Sequence, residues 1–166
     1  NIDRIDIVKN EEGNKEVTFV TKEGKITITI DKQNRMISYY DDIIQFTEGV
    51  CFLFASTYLK DVQLLKMKKV PDFFIPNCKD INTFSAPLLE EVGECFLRKN
   101  SIKKVSFPSL KIADSSFMED SPMLEEIDLP LLEILQDRSL METKKLRKIS
   151  IPNVKTIRLF VLRHNR

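Results

Sequence analysis

The sequence has no tryptophan, one histidine, four glycines and three cysteines in 166 residues. The lone His164 lies close to the C-terminal end, so a Cys–His or Ser–His pair would depend on a fraying terminus, and His164 reads as a solvated side chain. Four glycines leave no Gly-rich phosphate loop, and no His/Cys spacing matches a metal site. The sequence therefore points to no catalytic site, no cofactor and no metal. Three cysteines cannot all pair within the chain. No apolar run approaches the roughly 20 residues that span a bilayer, so no membrane-spanning segment is expected. Nor does one sign of charge dominate: 26 basic and 25 acidic residues leave a net charge of +1, with no overall pull toward nucleic acid or anionic lipid. The acidic pairs Glu90/Glu91 and Glu125/Glu126 do not suggest a glycosidase, because neighbours on a strand face opposite ways, and they read as ordinary solvated charges.

What is present is a repeat. Residues are 42% hydrophobic, enough for a continuous core, and Pro87, Pro108, Pro130 and Pro152 recur at spacings of 21, 22 and 22. Stepping back by 22 from Pro87 reaches Leu65 and then Ile43, where proline is absent. Five apolar columns follow the same period. They run Leu59/Ile81/Ile102/Leu124/Leu146, Val62/Phe84/Val105/Ile127/Ile149, Leu64/Ala86/Phe107/Leu129/Ile151, Met67/Leu89/Leu110/Leu132/Val154 and Val70/Val92/Ala113/Leu135/Ile157. Nine residues after each proline-equivalent position stand Phe52, Phe74, Phe96, Phe117 and Val161; Ser139 breaks this column, and Leu140 beside it is the expected substitute.

The alternation of I-x-L is that of a strand with one buried face, and the proline after it ends the strand, since it lacks an amide donor and fixes φ. One such unit cannot bury enough apolar surface to stand alone, so the units are expected to stack as a solenoid. Cys51 and Cys95 each precede a column phenylalanine and lie two units apart. At about 4.8 Å per unit they stand roughly 10 Å apart, too far for a disulfide, and read as buried free thiols. Free thiols favour a reducing compartment and leave a cytoplasmic location open.

Residues 1–42 lack the period. "VTFVTKEGKITITI" reads as a β-hairpin with a Gly-containing turn, an earlier strand runs through Ile5 and Ile7 with "NEEGN" as its turn, and "RMISYY" is a possible fourth strand. This segment is expected to cap the first apolar rung as a small antiparallel meander, or else to be an unrelated β unit. The organisation is thus a β cap over 1–42 and a solenoid over 43–166. At the far end "TIRLFVLRHNR" is still apolar and shows no polar cap, which leaves room for the native chain to continue past Arg166.

The outward residues of the strands form two polar columns: Asp61, Thr83, Lys104, Glu126, Lys148 and Gln63, Ser85, Ser106, Asp128, Ser150. They lack the large aromatic or arginine anchors that dominate protein hot spots, so the face reads either as a shallow surface for a protein or glycan, or as a solvated sheet. The register also sets Lys103/Lys104 beside Glu125/Glu126 and those beside Arg147/Lys148, signs that alternate and predict cross-strand ion pairs.

The string L-x-x-I-x-L-P-x-L-x-x-I followed by Phe resembles the BspA-like class of leucine-rich repeats over about Ile43 to Ile157, with "EVGECF" and "EGVCF" as its nearest matches. Most units lack the glycine of that class, and its asparagine ladder is replaced by Met67, Leu89, Leu110, Leu132 and Val154. The resemblance implies a mainly-β α/β solenoid with a curved parallel sheet, an irregular or short-helical convex side, and a bacterial surface or secreted setting. The function expected is a non-enzymatic protein- or glycan-binding module. The other class of function is the recognition segment of a larger secreted enzyme whose catalytic domain lies elsewhere.

Overall fold

A computed structural model describes residues 2–43 and 58–165. Strands β1 (Ile2–Lys9), β2 (Lys15–Thr21), β3 (Lys25–Ile30) and β4 (Met36–Asp41) pair antiparallel in sequence order, as Thr/Val/Ile alternation favours. Gly13 and Gly24 take positive φ in two of the turns, and Asn34 does so in the third, where Asp31 accepts the Gln33 amide at 2.9 Å.

β4 then pairs parallel with β5 (Asp61–Leu64), Tyr39 opposite Val62 and Asp41 opposite Leu64, so the parallel ladder begins within the first 42 residues. This step is 23 residues, one more than the period. Counting back by 22 lands on Ile43, whereas the register sets Asp42 one place earlier, after Asp41. Asp41 thus occupies the column of Leu64, Ala86 and Phe107 although it is a carboxylate. Its buried oxygens accept from Tyr39 Oη (2.9 Å) and the Ile43 amide (2.6 Å). Burial raises its pKa above the ordinary value, and those two donors oppose the rise in part.

Five turns follow, at 59–80, 81–101, 102–123, 124–145 and 146–165. Each gives one strand to a first parallel ladder: β5, β7 (Thr83–Ser85), β9 (Lys104–Ser106), β11 (Glu126–Asp128) and β13 (Lys148–Ser150). Each also gives a two-residue strand to a second: β6 (Lys69–Val70), β8 (Glu91–Val92), β10 (Ile112–Ala113), β12 (Ile134–Leu135) and β14 (Thr156–Ile157). The second ladder is continuous, with Val70, Val92, Ala113, Leu135 and Ile157 in register. The first breaks between β7 and β9, beside the one turn that has 21 residues. All five predicted inward columns face the core in turns one to four, where every member is buried. Size alternates along them, with Ala86 one turn from Phe107 and Phe84 one turn from Val105, as close packing of stacked layers requires.

No helix occurs among the described residues, so of the expected irregular or short-helical convex side the short-helical form is not found. In its place lies a third ladder of unusual backbone. Phe73, Ile75 and Asn77, then Cys95, Leu97 and Lys99, then Ser116, Met118 and Asp120 all take φ between 52° and 62°, at every second position; Arg138, Glu142, Phe160 and His164 continue the row. Left-handed φ costs a non-glycine residue about 1–2 kcal/mol. It also aims the amide along the solenoid axis. Phe73, Asn77, Cys95, Lys99, Ser116, Asp120, Arg138 and Glu142 each donate to a carbonyl of the following turn, at 2.7–3.1 Å. The strain is offset by a satisfied backbone where no β ladder runs.

This geometry lets adjacent side chains both point inward, which a strand's alternation forbids. Phe96 and Leu97 are both fully buried, as are Phe117 and Met118. Ser139 and Leu140 are buried together as well, so Leu140 belongs to a further apolar column of Ile75, Leu97 and Met118. The rings of Phe74, Phe96 and Phe117 stack at centroid distances of 6.1 and 6.0 Å.

Behind them runs a buried polar column of Asn100, Ser121 and Thr143, ending at Asn165. Asn100 Nδ2 donates to Ser121 Oγ (2.8 Å) and to the Leu97 carbonyl, and its Oδ1 accepts the Ile102 amide (2.7 Å). Asn165 repeats this on Thr143, bonding its amide and its hydroxyl at 2.9 Å.

Candidate functional site

Strand alternation turns Val62, Phe84, Val105 and Ile127 inward, so their neighbours must face out. Both polar columns appear in the predicted register. Asp61 pairs with Thr83 and Gln63 with Ser85, while Lys104, Glu126 and Lys148 form one row and Ser106, Asp128 and Ser150 the other. The ten residues are not one row, however. Asp61, Gln63, Thr83 and Ser85 lie in the sheet that includes the N-terminal meander, and the other six lie in the three-stranded sheet beyond the break. Those six surround a shallow depression of about 490 Å³ with Val105 and Ile127 at its floor.

Part of this polarity is satisfied internally. Thr83 Oγ1 donates to Asp61 Oδ1 at 2.6 Å, Lys104 Nζ lies 3.0 Å from Glu126 Oε1, and Ser106 Oγ reaches Asp128 Oδ2 at 3.5 Å. The Lys104 hydrogen bond holds the Glu126 carboxyl below the usual range, and the charges of Lys148 and Arg147 add to it. Gln63, Ser85, Lys148 and Ser150 make no side-chain hydrogen bond or ion pair with another described residue. The lateral charge pattern is present in modified form. Arg147 reaches both Glu125 (2.8 Å) and Glu126 (3.6 Å), so these adjacent carboxylates converge on one cation instead of diverging, while Lys103 and Lys148 contact neither directly.

A second charge column went unrecognised in the sequence because it flanks the two-residue strands. Lys68, Glu90, Lys111, Glu133 and Lys155 alternate in sign over all five turns, with contacts of 3.3 Å (Lys68–Glu90), 2.8 Å (Lys111–Glu90) and 2.9 Å (Lys155–Glu133). Lys69–Glu91 adds a parallel pair at 2.8 Å. Glu90 and Glu91 are therefore turn-to-turn bridges and not simply solvated charges. His164 is likewise exposed but not free: its Nδ1 lies 2.6 Å from Glu142 Oε1 of the preceding turn.

A larger groove of about 760 Å³ lies at the corner before β7 and β9, lined by Asn77, Lys79, Asp80, Lys99, Ser101 and Asp120. Its walls mix both signs of charge and carry no aromatic ring.

Cys78 and Cys95 are buried and form no disulfide among the described residues. Burial, with Asp80 nearby, pushes the Cys78 thiol up to about 11, and burial, with Glu94 nearby, raises Cys95. A raised pKa and burial are the reverse of the exposed, low-pKa setting of a reactive thiol. Gly49, Cys51 and Phe52 lie outside the described residues. Gly93 is explained by close approach: a Cβ there would stand 2.5 Å from the Asp72 amide nitrogen of the turn below. Among the described residues no group of three or more His, Cys, Asp or Glu side chains could hold a metal, and no helix is long and apolar enough to cross a membrane. Comparison with family models, with curated proteins and with solved structures returns no match.

Proposed function

We propose that the chain is a non-enzymatic interaction module of the leucine-rich-repeat kind, related to the BspA-like class, that holds a protein ligand on its outward strand face. The observation that carries this reading is the set of outward polar side chains, Gln63, Ser85, Lys148 and Ser150, that make no side-chain hydrogen bond or ion pair with a described residue although their neighbours do. Unpaired donors and acceptors set on a rigid sheet are preorganised for hydrogen bonds with a ligand, and need little ordering on binding. The meander serves as the cap of the first turn in this reading, since β4 already occupies the next place in the ladder. A cell-surface or secreted setting follows from the family resemblance alone.

The test is a pull-down read by mass spectrometry with three baits: the parent chain, a double variant Asp128→Lys/Lys148→Glu, and the control Lys66→Glu, whose exposed side chain lies outside the face. A protein retained by parent and control and lost from the double variant supports the reading. Identical recovery with all three baits contradicts it.

A further inference from the structure

The outward face does not stop at the first turn of the solenoid. Tyr39 is fully buried and opposes Val62, so Tyr40 beside it points out and stands next to Gln63. The same register carries one outward row through Thr27, Tyr40, Gln63 and Ser85 and a second through Thr29, Ser38, Asp61 and Thr83, over β3, β4, β5 and β7. The longer step at Asp41 hid this continuity in the sequence, where the face lacked an aromatic anchor.

The two sheets differ in chemistry on this side. In these two rows Asp61 is the one charge, and it accepts a hydrogen bond from Thr83 Oγ1 at 2.6 Å. The others are hydroxyls, the carboxamide of Gln63 and the half-buried phenol ring of Tyr40. Beyond the break, Lys104, Glu126, Asp128 and Lys148 make the corresponding rows ionic. Thr27 Oγ1 is engaged by Thr18 Oγ1 at 2.9 Å, whereas the side chains of Ser38, Tyr40, Gln63 and Ser85 make no hydrogen bond or ion pair with a described residue.

We propose that this nearly uncharged half of the face binds a neutral oligosaccharide that runs across the strands, one sugar to a strand, with one sugar stacked on Tyr40. A pyranose ring is about as long as the spacing between strands, about 4.8 Å, so successive sugars meet successive strands. The C–H face of the sugar packs on the tyrosine ring, and its hydroxyls, each both donor and acceptor, match the carboxamide of Gln63 and the hydroxyls of Ser38 and Ser85. An anionic partner finds no cation in these rows, and a cationic one meets only Asp61, already held by Thr83. Gln63 and Ser85 also serve the protein-binding reading, but that reading is tested at Asp128 and Lys148 beyond the break, so the two fail separately.

The whole chain is applied to a printed array of neutral, sialylated and sulfated oligosaccharides, and the neutral oligosaccharide bound most strongly is titrated by calorimetry. Tyr40→Ala should weaken its binding at least about tenfold, the scale of a lost aromatic contact, and Tyr40→Phe should keep it. The double variant Asp128→Lys/Lys148→Glu should bind it like the parent. Absence of binding to every neutral oligosaccharide overturns the proposal, as does binding confined to the acidic ones. So does neutral binding that survives Tyr40→Ala in a chain with the parent's circular-dichroism spectrum or, should that variant not fold, binding that survives Ser85→Lys at its exposed position. Loss of the sugar from the Asp128→Lys/Lys148→Glu variant alone would place it beyond the break and overturn the assignment to Tyr40.

Discussion

Each turn meets the next through two unlike sides. On the strand side the backbone is relaxed, the core residues alternate, and the outer row is a ladder of lysines, arginines and glutamates that bridge turns at 2.8–3.6 Å. On the left-handed side the backbone is strained, adjacent side chains both enter the core, and a buried polar column closes the corner. The difference separates two jobs. The left-handed side fixes the stacking by shape and buried hydrogen bonds, where almost any change leaves a hole or an orphaned donor. The strand side fixes register by exposed charges of small individual worth, so its outer residues are open to recruitment for binding.

The contrast breaks first at Phe96, which touches four other rings and is fully buried. Phe96→Ala should cost about 3–5 kcal/mol in denaturant unfolding. A melting temperature within a degree of the parent would show that the ring is not in the stack. Asn100→Ala comes next. It strands the Ile102 amide in the buried corner and removes the tie to Ser121, at a cost of about 1–3 kcal/mol; Asn100→Asp, which retains the acceptor, should recover part of the loss, and equal losses for the two variants would deny the acceptor role.

On the strand side effects should be smaller and sensitive to salt. Glu126→Lys sets three like charges in a row and should lower the melting temperature more at low than at high ionic strength. Adding Lys104→Glu and Lys148→Glu restores alternation and should recover most of the drop. A triple variant no better than the single would mean that these residues are not neighbours.

The smallest effect is with pH. Hydrogen bonds from Lys111 and Lys68 hold Glu90 below its ordinary 4.5, so its contribution to stability is present above 4.5 and is lost as pH falls through the depressed value. Glu90→Gln should therefore lie below the parent in melting temperature at neutral pH and converge with it in acid. Asp41 runs the other way: its raised pKa gives a contribution present below 3.8 and lost as pH rises through the raised value. Asp41→Asn should thus flatten the opposite trend.

The strand side was legible in the sequence, and the left-handed side was not. Period-two alternation before each proline or its equivalent position placed Val62, Phe84, Val105 and Ile127 inward and put Lys104, Glu126 and Lys148 in one row, because a strand has only two faces. Nothing comparable marks the third ladder. Left-handed residues are usually announced by glycine, but here Phe73, Ile75, Leu97 and Met118 take that conformation under the constraint of the stack, and only Asn77, Asp120 and Ser116 hint at it. The column Ile75, Leu97, Met118, Leu140 and the polar row Asn100, Ser121, Thr143 were readable only by extending the 22-residue comparison to every position. The 23-residue step at Asp41 misled the count because a carboxylate stands where the pattern calls for an apolar side chain. As for the candidate site, its residues and register were readable from the strand alternation; the break between β7 and β9, which divides it, was not, and it lies beside the turn that is one residue short in the corner after Phe96.

Amide hydrogen exchange on the folded chain tests the three-ladder stack most directly. The account predicts that the amides of Phe73, Asn77, Cys95, Lys99, Ser116 and Asp120, each bonded to the following turn, exchange as slowly as those within β9 and β11. Exchange of those six at the rate of exposed loop amides, with β9 and β11 still protected, would contradict it.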